Sequence, residues 1–423
     1  MKIALVAYHL DTDASHDYAA SAEQAAHVSG LALALGGRGH RVTVYARRHR
    51  AGLPDTVTLG RGVVRRYLTA GPVAPVPPQD LPAHVGAFGA ELARWLRRTT
   101  PDVVHAYHWT SGLAAQIAAR EGSVPVVQSF GSLAAAERCS GLTRQPDEGR
   151  LRMEACLGRA AAGVIAATDE EARDLSRLGV PGFRVRVVPP GVDLARFAGG
   201  KAARRTAGPA RLLYIGPLGA GHRVDTLIRA TAELPGTELV IAAALDRAAL
   251  ERDPDCKRLG KLAAELGVAD RVTFAARPAE AELPKLLRSA SVLVSGALHE
   301  PLGMTVIGAM ACGLPVIATG AGACADAVID GTTGLLLPAA RPELVGKAVR
   351  ELLASPMRLA GLGIAAADRA ESRYSWHRIA GEAAAAYELF LSAAGGSARA
   401  PARPAMPPRS VASVTTPARK LAA

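Results

Sequence analysis

One stretch of the chain decides the fold, and it reads HEPLGMTVIGAMACGLPVI at residues 299–317. A loop with a single carboxylate, Glu300, leads into an apolar run with helical spacing, which ends at a glycine and continues into a short apolar strand. The first turn of such a helix has unpaired backbone N–H groups, here at Gly303, Met304 and Thr305. These amides suit phosphate or sugar oxygens, with Glu300 ready to accept hydrogen bonds from sugar hydroxyls. A loop carboxylate that only caps its own helix fits this stretch equally well.

Short apolar runs alternate with helix-like segments on both sides of this stretch. Runs without polar alternation indicate parallel strands covered on both faces, and strands interleaved with helices predict doubly wound α/β domains. The clearest helix is predicted at residues 22–36, where a pair of glycines ends it. The predicted strands lie at residues 3–7, 42–45, 103–104, 124–127 and 164–165 in the first half, and at 212–215, 239–241, 272–274, 292–294 and 315–317 in the second.

The pattern breaks near residue 196, in a stretch of small, polar and basic residues that is typical of a linker. Two α/β domains of similar size in tandem create a cleft between them, where small ligands bind. The final segment is rich in Ala, Pro, Arg and Ser, so we expect it to be disordered. The predicted parts are a first domain at 1–195, a linker at 196–210, a second domain at 211–375, a helix returning to the first domain at 376–392 and a basic tail at 393–423.

Composition narrows the class of protein. Apolar residues make up 49% and charged residues 21%, as in ordinary globular proteins. The net charge of +12 is partly that of the tail, and aromatic residues are only 4%, which disfavours nucleic acid as a partner. The five cysteines show no C-x-x-C spacing, which favours reduced thiols over disulfides or zinc. The first apolar run is too short for a signal peptide, and no run is long enough to span a membrane, so we expect a cytoplasmic protein.

The stretch at 299–317 resembles the donor-site motif of retaining GT-B glycosyltransferases of family 4, usually E-P-F-G-x-x-x-x-E-A-M-A-x-G-x-P-V. Further segments are similar to that family almost to residue 391. They include PDVVH at 101–105, VVPPGVDLARF at 187–197, DGTTGL at 330–335 and YSW at 374–376. The resemblance implies a GT-B fold, in which two Rossmann-like doubly wound domains face each other across a cleft.

The resemblance also implies an activity. It is transfer of a sugar, with retention, from a nucleotide-sugar donor to an acceptor, without a metal cofactor, and a UDP-sugar is the first choice of donor. The acceptor stays open between a small molecule, a glycan and a lipid, as does the oligomeric state. In this family the leaving diphosphate helps to deprotonate the acceptor, so no protein nucleophile is needed. Glu300 would orient the donor sugar, and the amides of Gly303, Met304 and Thr305 would hold the leaving group.

Several positions depart from the family pattern on the donor side. The second glutamate of the motif, which normally holds the ribose, is Gly308. The usual G-R-L-x-x-x-K-G run begins at Gly216 but has Pro217 in place of arginine and His222 in place of lysine. A protonated His222, or Arg223 after a shift of one residue, would restore part of the missing positive charge. Losing both cations would cost about 3–6 kcal/mol of interaction with the diphosphate.

Other departures lie around the cleft. The first-domain histidine of the family falls on Gly131, and a glycine pair near the N-terminus becomes Ala22-Glu23, whose carboxylate would oppose the donor phosphates if it faced them. A second glycine pair becomes Ala243-Ala244. Arg277 matches the position whose backbone usually meets the nucleobase.

These departures leave alternatives open. A catalytically degraded paralogue that keeps the fold for binding or regulation predicts that Gly308→Glu, Pro217→Arg and His222→Lys together raise donor affinity. Sugar-nucleotide epimerisation would need acid and base carboxylates that the sequence does not locate.

Weaker signals lie elsewhere in the chain. Asp11 and Asp13 form a D-x-D pair, but a polar loop is the favoured interpretation and we predict no metal site. His9 and His108 are expected at strand ends facing the cleft, in structural roles. The basic tail is a candidate for peripheral contact with an anionic membrane.

Overall fold

The protein is described here from a computed structural model that covers residues 1–9, 19–77, 79–120, 124–140, 148–198 and 208–397. The Asp11–Asp13 pair, most of the linker and the tail beyond residue 397 lie outside this range. Within it, the chain forms two α/β units, each built around its own sheet. No described helix combines the length and apolar character that crossing a bilayer requires.

The first unit is built on an eight-stranded sheet with the order β3-β4-β2-β1-β5-β6-β7-β8. All neighbouring pairs are parallel except β3 and β4, which form an antiparallel edge that the sequence did not predict. The strands are β1 Lys2–Val6, β2 Arg41–Arg47, β3 Thr56–Gly60, β4 Val63–Leu68, β5 Val103–Tyr107, β6 Val126–Ser129, β7 Gly163–Ala166 and β8 Val185–Val187. The helices are α1 Ala19–Gly37, α2 Val85–Thr99, α3 Trp109–Ala119, α4 Ala134–Cys139, α5 Glu148–Ala160, α6 Asp169–Arg177 and α7 Leu194–Phe197.

The second unit is built on a six-stranded, wholly parallel sheet with the order β11-β10-β9-β12-β13-β14. Its strands are β9 Ala210–Gly216, β10 Thr237–Ala243, β11 Val272–Ala275, β12 Val292–Ser295, β13 Val316–Thr319 and β14 Gly334–Leu337. Its helices are α8 Val224–Ala232, α9 Arg247–Arg252, α10 Pro254–Glu265, α11 Leu283–Arg288, α12 Met304–Ala311, α13 Ala323–Ala327, α14 Pro342–Leu353 and α15 Pro356–Tyr374. The chain then returns to the first unit through α16 Trp376–Ser397.

The predicted fold class is confirmed. Central strands such as β1, β5 and β6 are buried along nearly their whole length, as their uninterrupted apolar runs predict. Some boundaries differ. β9 begins at Ala210, inside the span assigned to the linker, and α16 continues to Ser397, so the predicted disorder from residue 393 is wrong for 393–397. A helix that is already formed extends at little cost through alanine-rich sequence.

Helix α16 packs on the first unit rather than on the domain that precedes it. A Cβ added at Gly30 of α1 would lie 2.3 Å from Cζ2 of Trp376, and one at Gly163 would lie 2.3 Å from Cγ of Phe390. Both glycines therefore let α16 approach closely. At the junction of the two units, Val192 forms a parallel β-bridge with Ser375. The two segments in which the chain passes from one unit to the other therefore lie side by side.

A buried polar network fixes α16 to the first sheet. The hydroxyl of Ser129 donates to the carbonyl of Ile165, so it accepts from His105 Nε2 at 3.0 Å. His105 Nδ1 then accepts from the Tyr387 hydroxyl at 2.7 Å. This arrangement needs a neutral imidazole, and burial lowers the pKa of His105 to about 3.

Acid is expected to destabilise the protein through this histidine. In the unfolded chain its pKa is about 6.5, so below that pH the unfolded state binds a proton that the folded state does not bind. Stability therefore falls as the pH drops from about 6.5 towards 3, by at most about 1.4 kcal/mol per pH unit for His105. Urea denaturation at several pH values measures the slope, which should be shallower in His105→Gln. Equal slopes in the two proteins would show that another group controls acid unfolding.

Candidate active site

The site is built on the loop between β12 and α12. Gly303 ends this loop with φ of 65°, a left-handed conformation, and a Cβ there would lie 2.8 Å from Cβ of Ala323. The turn brings Glu300 back to the helix start, where its Oε1 accepts from the Gly303 N–H at 3.2 Å. The carboxylate therefore lies beside the first-turn amides of Met304 and Thr305, and its contact with the Gly303 N–H is also the one that a carboxylate capping its own helix would make.

A second carboxylate faces this loop from the other domain. Glu23 on α1 accepts from the Thr305 hydroxyl at 3.4 Å, across the cleft. Burial, followed by the charge of Glu300, raises the pKa of Glu23 to about 8. Burial also raises the pKa of Glu300, while the Gly303 N–H opposes this shift. Two carboxyl groups from opposite domains thus meet at the start of α12.

The segment after β9 carries the predicted contacts to the donor diphosphate. His222 lies in a short 3-10 turn, Ala220–His222, that follows Gly216. Burial, and then the neighbouring His299, lower the pKa of His222 to about 4. The imidazole is therefore neutral near pH 7 in the protein without ligand, which favours Arg223 over a protonated His222 as the group that restores positive charge.

Arg223 is the better candidate cation. It precedes α8 with φ of 54°, a strained conformation for a residue with a side chain. Its Nε is buried and has no hydrogen-bond partner among the described residues. A buried guanidinium nitrogen without an acceptor is costly, and an anionic ligand would relieve that cost.

Two further residues that are predicted to bind the nucleotide-sugar donor are placed less favourably. The Arg277 N–H donates to the carbonyl of Leu245 at 2.7 Å, so of its backbone groups only the carbonyl is available to a base, and the residue is exposed. Gly308 is buried within α12, and a Cβ there would lie 2.9 Å from Cε1 of Phe197. A side chain at this position would meet Phe197 before it could reach a ligand.

The first domain lines the opposite wall with neutral polar groups. His9 Nε2 is 2.8 Å from Gln24 Oε1, and the rings of His9 and His108 are 4.6 Å apart. Burial lowers the pKa of both histidines. Gly131 has φ of 75°, and a Cβ there would lie 2.1 Å from Gln24 Nε2. Gln24 therefore occupies the space beside Gly131, where the family resemblance places a histidine.

Gln24 was missed by sequence reasoning. The one signal for it is its place beside Glu23 in an otherwise alanine-rich helix start. His108 also has a positive φ, 72°, and its Nδ1 is 2.9 Å from Thr110 Oγ1. Such a strained backbone at a cleft is common where a side chain must be aimed at a ligand.

Further contacts join the domains beside the donor loop. Ser132 Oγ is 3.1 Å from His299 Nε2, and the Gly322 N–H donates to Glu170 Oε2 at 2.6 Å. A small cavity between them is lined partly by Glu170 and Glu171. These glutamates lie in the first turn of α6, where acidic groups interact favourably with the helix dipole. The acidic lining of the cavity therefore has a structural explanation.

A metal site is not apparent in the described part of the chain. No group of three or more His, Cys, Asp or Glu residues that could hold a metal ion occurs there. The Asp11 and Asp13 pair lies outside the described residues, and metal independence stays a prediction.

Comparison with known proteins agrees with the class that the fold and cleft define, a GT-B glycosyltransferase. A profile described as Glycosyltransferase Family 4 matches residues 24–196, and one described as Glycosyl transferases group 1 matches residues 201–369. The chain belongs to this family of glycosyltransferases, and it is an enzyme of that kind.

Similar proteins include two named D-inositol 3-phosphate glycosyltransferases. The one from Catenulispora acidiphila is 33% identical over an alignment of 378 residues that covers 85% of this chain and 88% of that protein. The one from Kineococcus radiotolerans is 33% identical over 404 residues, covering 89% and 92%.

Solved structures extend the likeness. Sucrose-phosphate synthase from Thermosynechococcus elongatus has a TM-score of 0.81 at 26% identity, covering 93% of this chain and 99% of that one. The Anabaena protein Alr3699/HepE, solved with UDP and glucose, has a TM-score of 0.71 at 18% identity, covering 92% and 99%, and shares the fold. These relatives offer no support for the degraded-paralogue alternative.

Proposed function

We propose that the protein transfers a sugar, with retention, from a nucleotide-sugar to a small polyhydroxylated acceptor. The observation that carries the proposal is the position of Glu300 at the start of α12, in a cleft that the first domain closes from the opposite side. Free amides at a helix start favour an anionic leaving group, and a carboxylate beside them can hold sugar hydroxyls.

The proposed mechanism uses electrostatics and positioning rather than a protein nucleophile. The amides of Met304 and Thr305, together with Arg223, would stabilise the charge that develops on the leaving diphosphate. Glu300 would accept hydrogen bonds from the donor sugar and fix its orientation. The bond between the anomeric carbon and the diphosphate would break, and a diphosphate oxygen would take the acceptor's proton as the acceptor oxygen bonds to that carbon on the same face, which retains the anomeric configuration. In this mechanism no metal ion is needed, since the helix dipole and Arg223 supply the positive potential.

UDP-sugars are the first donors to test, and a cyclitol or cyclitol phosphate is the first acceptor. The UDP choice is supported by the family resemblance and by the Anabaena protein, whose complexes contain UDP and UDP-glucose. The acceptor choice is supported by the relatives named for D-inositol 3-phosphate. His9 and His108, both kept neutral by burial, can exchange hydrogen bonds with hydroxyl groups at the acceptor wall.

Calorimetric titration with UDP, GDP, ADP and their common sugar conjugates tests the donor site. We expect saturable micromolar binding of one nucleotide series, and then transfer of its sugar to inositol or inositol phosphate, unchanged by EDTA. Product analysis by NMR reads the anomeric configuration directly. Folded protein that binds none of these nucleotides would contradict the proposal.

A further inference from the structure

Glu23 holds a position that the proposed reaction does not use. It projects from α1 of the first domain and reaches the Thr305 hydroxyl in the first turn of α12 in the second. It meets no charged group in the hydrogen bonds and ion pairs of the described residues, and Glu300 acts on it only through its charge. The side chain thus brings a carboxyl group to the place where the donor's leaving group would bind.

Two of the polar donors at this helix start are already in use, while the backbone N–H groups of Met304 and Thr305 are not used within the described residues. The Gly303 N–H donates to Glu300, and the Thr305 hydroxyl donates to Glu23. The partial positive charge at a helix start favours an anion. The Glu23 side chain therefore lies in a place that would also suit a phosphate group. A diphosphate entering here would meet a carboxylate at close range.

We propose that Glu23 is an internal anion that competes with the donor diphosphate for the start of α12. The nucleotide then binds when Glu23 is protonated or has moved away, and Glu23 sets the pH range in which the donor is accepted. This inference rests on the proposed function, because it concerns the same donor site.

The surroundings of Glu23 support a proton-controlled competition. Its pKa is raised to about 8, so near neutral pH the Glu23–Glu300 pair holds a proton and repels phosphate less than it does above pH 8. Glu300 is the charged group that faces it from the donor loop, and the two carboxyls titrate together. The charge of Glu23 also acts on Tyr214 of β9 and on Cys324 of α13. Burial raises the pKa of both groups, so both stay neutral from about pH 7 to about pH 9. His27, one turn along α1, has its pKa lowered to about 4 and is likewise neutral.

The test is calorimetric titration of the full chain with UDP from about pH 7 to about pH 9, where the phosphates of UDP stay ionised. GDP and ADP replace UDP if one of them is the nucleotide bound. In the wild-type protein we expect the Kd to rise above pH 8, approaching about tenfold per pH unit. Glu23→Gln keeps the shape without the charge, so its Kd should be about tenfold lower than that of the wild type at pH 9 and should rise with pH much less than the wild-type Kd. Glu91→Gln removes a carboxylate on α2 that pairs with Arg94 at the surface, and it should behave like the wild type.

The outcomes are distinguishable. A wild-type Kd that is flat over this range overturns the inference, even if the variant cannot be folded. So does binding by Glu23→Gln with the affinity and pH dependence of the wild type. If neither protein binds any of the nucleotides at any pH, the proposed donor site itself fails. Uridine, which has no phosphate, should show the same pH dependence in both proteins, and a difference between the two proteins as large as the one for UDP would also overturn the inference.

Discussion

Glu300→Gln is expected to lower kcat by about a hundredfold to ten-thousandfold while leaving the fold intact. Glutamine can still accept the Gly303 N–H through its Oε1, so the loop keeps its contact at the start of α12. What is lost is the charge that strengthens hydrogen bonds to the donor sugar, each worth about 1.5–3 kcal/mol when one partner is charged. Loss of two such bonds in the transition state accounts for the expected factor, at about 1.4 kcal/mol per tenfold.

The measurement is turnover with the nucleotide-sugar that the titrations identify, with unfolding followed in parallel. Glu343→Gln is the matched control, because it removes an exposed carboxylate from the first turn of another helix, α14, in the same domain. It should turn over like the wild type. Glu300→Ala also removes the contact to Gly303, and it should be at least as inactive. Full turnover in a folded Glu300 variant would mean that the reaction is centred elsewhere in the cleft.

The sequence was sufficient for the local part of the site. Glu300, Gly303 and the start of α12 are three neighbouring features of one loop and helix, and their geometry follows from a turn, a glycine and unpaired amides. The two parallel sheets could be predicted for a similar reason, because uninterrupted apolar runs report burial on both faces. The antiparallel β3–β4 edge could not, because its partly exposed strands lack such runs.

The rest of the site depends on contacts between distant parts of the chain. Glu23 and Thr305 are separated by 282 positions, and nothing in either local sequence specifies that they meet. The charge state of His222 depends on how deeply its turn is buried, which the motif does not encode. The same holds for Gln24, whose amide fills the space beside Gly131. Sequence therefore locates the donor loop, while folding decides which groups oppose it.

Gly308 shows how packing changes the meaning of a departure from the family pattern. Read from sequence, its glycine is a lost ribose contact that glutamate would restore. In the fold, a Cβ at this position lies 2.9 Å from Cε1 and 3.4 Å from Cζ of Phe197. The backbone of Phe197 is held in place, because its carbonyl accepts from Arg288 at 3.1 Å and from Cys312 Sγ at 3.3 Å. Relief therefore has to come from rotation of the ring.

Gly308→Glu is accordingly expected to destabilise the protein rather than to raise donor affinity. Overpacking a buried position costs about 1–3 kcal/mol, and a carboxylate buried there without a partner costs several more, against about 1 kcal/mol gained from replacing glycine within a helix. We expect the free energy of unfolding to fall by about 3 kcal/mol or more, which corresponds to roughly 6–12 °C in Tm for a domain of this size.

Comparison with Phe197→Ala and the double variant separates packing from ligand binding. Phe197→Ala alone opens a cavity and costs about 3–5 kcal/mol, but it removes the ring that a side chain at position 308 would strike. In the double variant, Gly308→Glu should therefore cost much less than it does in the wild-type background, a coupling that thermal unfolding of the four proteins measures. Equal costs in both backgrounds would show that the ring is not the obstacle. A stable Gly308→Glu single variant that binds the nucleotide more tightly would mean that Phe197 yields and that the ribose contact can be restored by one substitution.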